Sequence, residues 1–486
     1  MPLALRCACL ALCCGGLLSS CSSSEGPAVA AAVDLTPGVL SLDLGDTMRV
    51  AAVVKDGNGK TLPSAVVTYS VDNQVVATVS TTGLVTTHMG GTATLTATSG
   101  GASKGAPITV AGPAASIQVI PSIVDLPFGG TRQLGAIVRD AQSRVMNHPT
   151  VSFVSKDQTV ATVSTAGLLA AVAVGFDSLT VTSGSAVQYV SVAVVTHPAG
   201  NAAGTPAVAS RPFAVAVSRT GVALTGRQDL PYLQLSLLPD TGFRDSVKVG
   251  ADPTDIAFTS AGTTAYVTNQ FSLNVGVINV TTKQSVDSIP IPSGNPFRVL
   301  VAPDDQHVYV STSTGMVYEI ATATRAITRQ LALSASPVNG MAFHPNGDIL
   351  YATSTGGSIF EVTTSTGTVR LATPGGTLQD VAVSLDGTEV YIANEGGDLD
   401  VRDAATGGRL TTIPAAANAF GLKLSPDGTQ LYASVTGSGQ VKVIDRSSRT
   451  VTQTLNVAGT PRRIAFNRLG TTALIPNESG WVSVVR

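Results

Sequence analysis

The sequence has 486 residues, which is too long for one ordinary domain, so several domains are expected. Charged residues make up only 12% of it, while Gly, Ala, Ser, Thr and Val dominate, and this composition favours short strands and tight turns over charged surface helices. The formal net charge of −2 excludes the basic surface that neutralises phosphates, so no nucleic-acid partner is expected.

Residues 1–20 are predicted to be a lipoprotein signal peptide. All five cysteines lie within the first 21 residues, in or just after an apolar run that carries one early charge, Arg6. The run ends at small residues, which is typical of a secretory signal, and it is short for a membrane-spanning helix. Because the rest of the chain has no cysteine, disulfides and cysteine-ligated metals are excluded from the folded body.

The tetrapeptide LSSC at 18–21 resembles the lipobox of bacterial lipoproteins. The resemblance implies cleavage before Cys21, lipidation of Cys21 and attachment to the membrane through that N-terminal lipid. Ser22 favours the outer membrane or cell surface as the location within the cell envelope, again by resemblance. Residues 21–32 are then a flexible tether. The alternative is an ordinary signal peptide that happens to contain a cysteine.

An internal repeat of 84 residues follows. The segment VATVSTTGLV at 76–85 returns as VATVSTAGLL at 160–169, so two copies of one domain are predicted at 33–112 and 113–196. Short runs rich in Val and Thr, bounded by Gly, Asp or Asn, indicate a small antiparallel β-sandwich in each copy. The pattern resembles the group 2 bacterial Ig-like domains, which implies spacer or adhesive modules of a surface protein.

A shorter period of about 42 residues begins at 211, after a linker at 197–210. One turn residue marks each unit: Gly221, Gly262, Asp305, Gly347, Gly387, Gly428 and Gly470. Each unit holds about four strand-like runs, and a single four-stranded sheet cannot bury both of its faces. Seven such units therefore predict a closed seven-bladed β-propeller over 211–486. The tetrapeptide YVTN at 266–269 resembles the YVTN family of seven-bladed propellers. The resemblance implies the fold but does not specify an activity.

Two further features belong to this repeat. A tyrosine four residues after the marker is expected in the core between blades, at Tyr266, Tyr309, Tyr351, Tyr391 and Tyr432. The seventh unit supplies only three strand-like runs, so the segment at 204–210 is expected to pair with its open edge and close the ring. The predicted fold class is all-β, with two Ig-like β-sandwiches followed by a seven-bladed β-propeller.

Equivalent positions in the repeat locate a candidate ligand site. Counting back seven residues from the markers places four charges at one end of the channel, the ring mouth: Asp255, Arg298, Asp380 and Arg463. The loops after the second strands add Asn269, Asn394 and Asn477 there. Polar groups that converge on one concavity predict a binding site. Each charge is expected to be partly exposed, so its removal would cost about 1 kcal/mol or less. The alternative is that the four charges only pair with neighbouring blades and water.

No catalytic residue, metal site or cofactor is predicted. His307 and His344, the propeller's only histidines, lie beside the marker turns, at the opposite end of the channel, the turn mouth. Because a strand of this length spans roughly 17–20 Å, no His-carboxylate pair for base catalysis is expected from them.

Two classes of function remain. The favoured one is a non-enzymatic, lipid-anchored surface protein that binds protein or glycan through the propeller, with the Ig-like modules as spacers or adhesive units. The alternative is a periplasmic propeller enzyme, lactonase-like or quinoprotein-dehydrogenase-like. Such an enzyme would require clustered carboxylate metal ligands or several converging histidines, and the sequence shows neither.

Overall fold

The computed structural model describes residues 29–200, 202–204 and 211–486. The predicted signal peptide, Cys21 and residues 205–210 lie outside this part. The described residues form β-strands and two short 3-10 helices, Pro414–Ala416 and Thr436–Ser438, with no α-helix among them. No helix in the described chain is long and apolar enough to cross a membrane. The predicted all-β class is confirmed.

The described chain divides into two compact units. The first contains the described residues up to Gln118 together with 137–151 and 182–187. The second contains 119–136, 152–181 and the described residues from Gln188 to Arg486.

The first 84-residue repeat folds into a β-sandwich. Its strands are β1 (Ala32–Thr36), β2 (Leu40–Asp43), β3 (Thr47–Arg49), β4 (Ala51–Lys55), β5 (Thr68–Val71), β6 (Ala77–Val79), β7 (Leu84–Thr87), β8 (Gly91–Ser99) and β9 (Ala102–Ala111). The sheet orders are β2-β9-β8-β5, β3-β7-β6 and β1-β4. Strand periodicity explains the packing, because Ala93, Leu95 and Ala97 of β8 enter the core while the threonines between them are more exposed.

The second repeat has the same strands in the same order. They are β10 (Ala114–Ile120), β11 (Ile123–Pro127), β12 (Thr131–Gln133), β13 (Gly135–Asp140), β14 (Ser152–Ser155), β15 (Ala161–Val163), β16 (Leu168–Ala171), β17 (Gly175–Ser183) and β18 (Ala186–Val195). The sheets β11-β18-β17-β14, β12-β16-β15 and β10-β13 correspond one for one to those of the first repeat. The sequence repeat is therefore a repeat of structure.

The remaining strands form the β-propeller. A short strand, β19 (Ala202–Gly204), precedes the first blade. Blades one to three comprise β20 (Pro212–Val217), β21 (Val222–Arg227), β22 (Tyr232–Leu237), β23 (Asp245–Lys248), β24 (Pro253–Phe258), β25 (Thr264–Asn269), β26 (Asn274–Asn279), β27 (Gln284–Pro290), β28 (Pro296–Val301), β29 (His307–Thr312), β30 (Met316–Ala321) and β31 (Ile327–Ala332).

Blades four to seven comprise β32 (Val338–Phe343), β33 (Ile349–Ser354), β34 (Ser358–Thr363), β35 (Val369–Ala372), β36 (Leu378–Val383), β37 (Glu389–Asn394), β38 (Leu399–Asp403), β39 (Arg409–Ile413), β40 (Ala419–Leu424), β41 (Gln430–Val435), β42 (Gln440–Asp445), β43 (Thr450–Asn456), β44 (Ala465–Phe466), β45 (Ala473–Asn477) and β46 (Trp481–Val485).

The seventh blade takes its fourth strand from the other end of the propeller. Its sheet order is β19-β46-β45-β44, with Ala202 opposite Val485 and Gly204 opposite Val484. The pairing strand lies at 202–204 and shares only Gly204 with the segment expected at 204–210. In the other six blades, as described, four consecutive strands pair in chain order.

A hydrophobic cluster joins each blade to the next around the ring. The predicted tyrosines occupy five of these clusters and are buried: Tyr266, Tyr309, Tyr351, Tyr391 and Tyr432. A further cluster joins Val215 of the first blade to Leu474 of the seventh. The ring of blades is therefore closed, and the prediction that the tyrosines form the interblade core is confirmed.

The marker residues share one backbone conformation. All seven have positive φ, from 58° at Asp305 to 85° at Gly221. This left-handed region is sterically unfavourable for most side chains, which explains why six of the markers are glycine. Asp305 adopts it because Asp tolerates left-handed conformations better than bulky residues do.

Candidate ligand site in the propeller channel

The four predicted ring charges form one network across the channel. Arg298 of the third blade donates from Nη1 to Asp255 Oδ1 at 3.3 Å and from Nη2 to Asp380 Oδ1 at 3.1 Å. Arg463, from the seventh blade, donates from Nη1 to Asp380 Oδ2 at 3.1 Å. Because Asp255 lies in the second blade and Asp380 in the fifth, these contacts connect opposite sides of the ring. We call these four residues the charge network.

The carboxylates of the charge network also hold backbone amides. Asp255 Oδ2 accepts the N–H of Val299 at 3.0 Å, and Asp380 Oδ2 accepts the N–H of Leu422 at 3.1 Å. Each carboxylate thus fastens the inner strand of the next blade as well as an arginine.

The expectation that these charges are partly exposed is wrong for three of the four. Asp255, Asp380 and Arg463 are only 4%, 1% and 3% exposed, and Arg298 is also largely buried. The repeat count identified equivalent positions around the ring, but it did not show that long arginine side chains would meet over the axis. Removing one of these charges should therefore cost more stability than expected, because it breaks a buried ion pair.

Three phenylalanines, each one residue before a ring position, close the ring mouth. The ring of Phe213 lies 5.9 Å from that of Phe297 and 5.9 Å from that of Phe420, both edge to face. These residues belong to blades one, three and six, so they meet over the axis. Arg462 lies over Phe420 at 4.5 Å and is held by Glu478 at 2.6 Å. We call the three rings the phenylalanine cap.

Burial and the neighbouring charges shift the pKa values of the two network arginines in opposite directions. Burial opposes ionisation of Arg298, but Asp255 and Asp380 outweigh it and raise its pKa above the usual value. Burial, reinforced by repulsion from Arg298, lowers the pKa of Arg463 to about 10. Both arginines keep one buried nitrogen, Nε, without a hydrogen-bond partner in the described structure. The charge network is therefore rich in cationic donors.

A cavity of about 730 Å³ lies between the charge network and the turn mouth. It is lined by the inner strands of several blades and by marker-turn residues, including Ser260 and Leu385, which are exposed. Because the phenylalanine cap and the charge network block the ring mouth, we describe this channel cavity as a blind well that opens at the turn mouth.

Lys423 also lines this cavity, although it was not among the site residues predicted from the sequence. It stands two residues after the ring position of the sixth blade, on β40, and its side chain is accessible to water in the channel. Burial by the surrounding protein, together with repulsion from Arg298, lowers the pKa of its amine. The same repeat count, carried two residues further, would have found it.

A second group of charges lies at the turn mouth. Asp125 of β11 pairs with Arg219 at 3.2 Å and with Arg468 at 2.7 Å, and all three line the cavity. The Nη1 atom of Arg219 is buried without a hydrogen-bond partner among the described residues. The opening of the well is therefore also cationic.

The three predicted asparagines stabilise loops at the ring mouth. Asn477 donates Nδ2 to the carbonyl of Ala458 at 2.5 Å and accepts the N–H of Thr460 at 2.7 Å. Asn394 accepts the N–H of Thr377 at 3.1 Å. Asn269 donates to Asn274 Oδ1 at 2.7 Å. None of the three lines the channel cavity as described, so the structure separates them from the charge network.

The two propeller histidines lie beside the marker turns, outside the channel cavity. His307 Nε2 is 3.8 Å from Glu319 Oε1, a carboxylate that does not belong to the charge network. Glu319 comes from the neighbouring strand β30, which the sequence argument did not consider, and it also accepts a hydrogen bond from Tyr309 at 2.9 Å. His344 lies 3.1 Å from the carbonyl of Gly387 and is partly buried.

One group of three possible metal ligands occurs among the described residues, and it lies in the first unit. Asp43, Asp46 and His148 place ligand atoms within 4.8 Å of one another. Asp43 already accepts the backbone N–H groups of Asn147 and His148, at 2.9 and 2.6 Å. These bonds account for the arrangement as a structural turn.

The sandwich repeats match a known family model. The bacterial Ig-like domain (group 2) model matches residues 29–110 and 113–194. These residues form two bacterial Ig-like domains. Asp125 at the turn mouth is thus contributed by the second Ig-like domain.

Among solved structures, the chain resembles that of Kuenenia stuttgartiensis hydrazine synthase. The identity is 18% and the TM-score 0.53, over 60% of this chain and 99% of that one. At this identity the likeness concerns the fold alone. No curated protein sequence matches the chain.

Proposed function

We propose that the chain is a cell-envelope surface protein, lipid-anchored at Cys21, whose propeller binds part of a protein or glycan in the channel cavity. The observation that carries this proposal is the blind well of about 730 Å³, which is the size typical of ligand sites. The polar groups that converge on the well can orient a bound ligand. The two Ig-like domains act as spacers or adhesive units, as such modules do in other surface proteins.

The side chains around the well favour binding over catalysis. Among its described lining residues there is no histidine or cysteine, and the carboxylates are engaged with arginines and backbone amides. Carboxylates held in this way are poor general bases, because a base needs a free lone pair within reach of the substrate. We therefore propose a non-enzymatic role.

Replacing Cys21 by serine is expected to release the protein from the membrane fraction, because serine has no thiol to carry the lipid. Fractionation of the producing cells, with immunodetection, measures this. Ser24→Ala is the control and should stay in the membrane fraction. A Cys21→Ser protein that is still processed and membrane-bound would refute the proposed anchor.

Narrowing the well is expected to weaken binding to the cell envelope. Leu385 lies at the turn mouth and is 53% exposed, so Leu385→Trp should fold while obstructing the opening. We expect retention of labelled protein on isolated envelopes to fall about tenfold, equivalent to about 1.4 kcal/mol.

Leu410→Trp is the matched control. Leu410 is 44% exposed on the outer strand of the same blade, away from the channel cavity, and its substitution should leave retention unchanged. Equal retention of the wild-type protein and Leu385→Trp would refute the proposal that the protein binds through the channel cavity.

A further inference from the structure

The position of Lys423 is occupied by a small or apolar residue in every other blade. The equivalent residues, two after each ring position, are Ala216, Ala257, Leu300, Ala342, Ala382 and Ala465. Packing in the propeller therefore does not require a long cationic side chain at this position. A lysine that the fold does not need points to a function for its charge.

Lys423 has no ion-pair or hydrogen-bond partner among the described residues. The nearby carboxylates of the channel already accept hydrogen bonds from other groups. Asp255 is held by Arg298 and Val299, and Asp380 accepts from both Arg298 and Arg463. The amine of Lys423 is accessible to water in the channel, so an anion that enters the cavity can pair with it directly.

The channel cavity as a whole carries excess positive charge. Its described lining contains five cationic side chains and three carboxylates, the cations being Arg219, Arg298, Lys423, Arg463 and Arg468. Donor groups also remain unused, since Arg298 Nε and Arg463 Nε are buried without hydrogen bonds. A concave site with a surplus of cations concentrates anions through its field.

We propose that the channel cavity binds a carboxylate or phosphate group, with Lys423 as its direct ion-pair partner. This inference rests on the function proposed above and specifies the chemistry of its ligand. Arg219 and Arg468 at the turn mouth attract the anion, and the charge network forms the cationic end of the well. Desolvation and repulsion from Arg298 lower the pKa of Lys423, and Asp380 and Asp255 offset this only in part.

The test uses Lys423→Ala in the full chain, because alanine is the residue that most sibling blades have and the variant should fold. Lys442→Ala is the matched control, from β42, the third strand of the same blade, which lies outside the cavity. The probes are inorganic phosphate and succinate, titrated calorimetrically against sodium chloride of equal ionic strength. We expect at least one probe to bind the wild type and the control, and to bind Lys423→Ala about tenfold more weakly or not at all.

Preference for phosphate or for succinate identifies a phosphorylated or a carboxylated ligand, and either result supports the inference. Equal affinity of Lys423→Ala and wild type, or no binding beyond that of chloride, overturns it. If neither probe binds but Leu385→Trp still loses envelope retention, the anion chemistry is wrong and the binding function stands. If Leu385→Trp retains full binding, the proposed function fails regardless of the titrations.

Discussion

Replacing Asp380 by alanine is expected to lower the free energy of unfolding of the propeller by about 3–5 kcal/mol, the usual effect of breaking a buried ion pair. Asp380 is 1% exposed and accepts hydrogen bonds from Arg298, Arg463 and the Leu422 amide. Its removal leaves two buried cations without that counter-ion. Denaturant unfolding followed by the fluorescence of Trp481, the sole tryptophan, measures the effect on the propeller.

Asp287→Ala is the matched control, because its partner Arg325 is also an arginine, at 2.8 Å, but the two side chains are 39% and 41% exposed. An exposed pair contributes about 1 kcal/mol or less. Equal losses in the two variants would contradict a buried network that links the blades.

A propeller without β19 is expected to melt roughly 5 °C below one that retains it. Removing β19 leaves the backbone of β46 unpaired at Val484 and Val485, and two hydrogen bonds contribute about 1–3 kcal/mol, which corresponds to roughly 2–12 °C in a domain of this size. The comparison is between chains that begin at Gly200 and at Arg211, melted with Trp481 fluorescence as the signal.

Both chains lack the Ig-like domains, so the difference between them isolates the strand and its connection to the first blade. The shorter chain should also aggregate more readily, because β46 becomes an open edge. Identical melting temperatures would show that the pairing of β19 with β46 does not stabilise the ring.

The sequence specified the fold well because the fold is repetitive. The marker turn needs a residue in the left-handed conformation in every blade, so glycine recurs at a regular spacing. The number of these turns gives the number of blades, and Asp305 adopts the same conformation in the one blade that lacks the glycine. The interblade tyrosines recur for a similar reason, since every interface between blades has the same shape to fill. The closing strand was harder to locate, because β19 pairs through its backbone, without a distinctive side-chain pattern.

The candidate site was only partly predictable. Repeat counting found Asp255, Arg298, Asp380 and Arg463, but periodicity contains no information on contacts across the axis, so it missed both their burial and the phenylalanine cap. The loop asparagines looked like ligand groups because their hydrogen bonds to the backbone cannot be seen in the sequence. Lys423, in contrast, was visible as the single charged residue in an otherwise apolar column.

The pairing of β19 with β46 also determines when the propeller can be completed. During synthesis β19 is made before all the blades and β46 after them, so the blades form an open arc until these two strands meet. The end faces of that arc expose Val215 in the first blade and Leu474 in the seventh, which cover each other only in the finished ring. Such long-range closure is slow, and the exposed faces can pair with another copy in the meantime. A chain of this design therefore has to be kept apart from its neighbours until its last blade has been made.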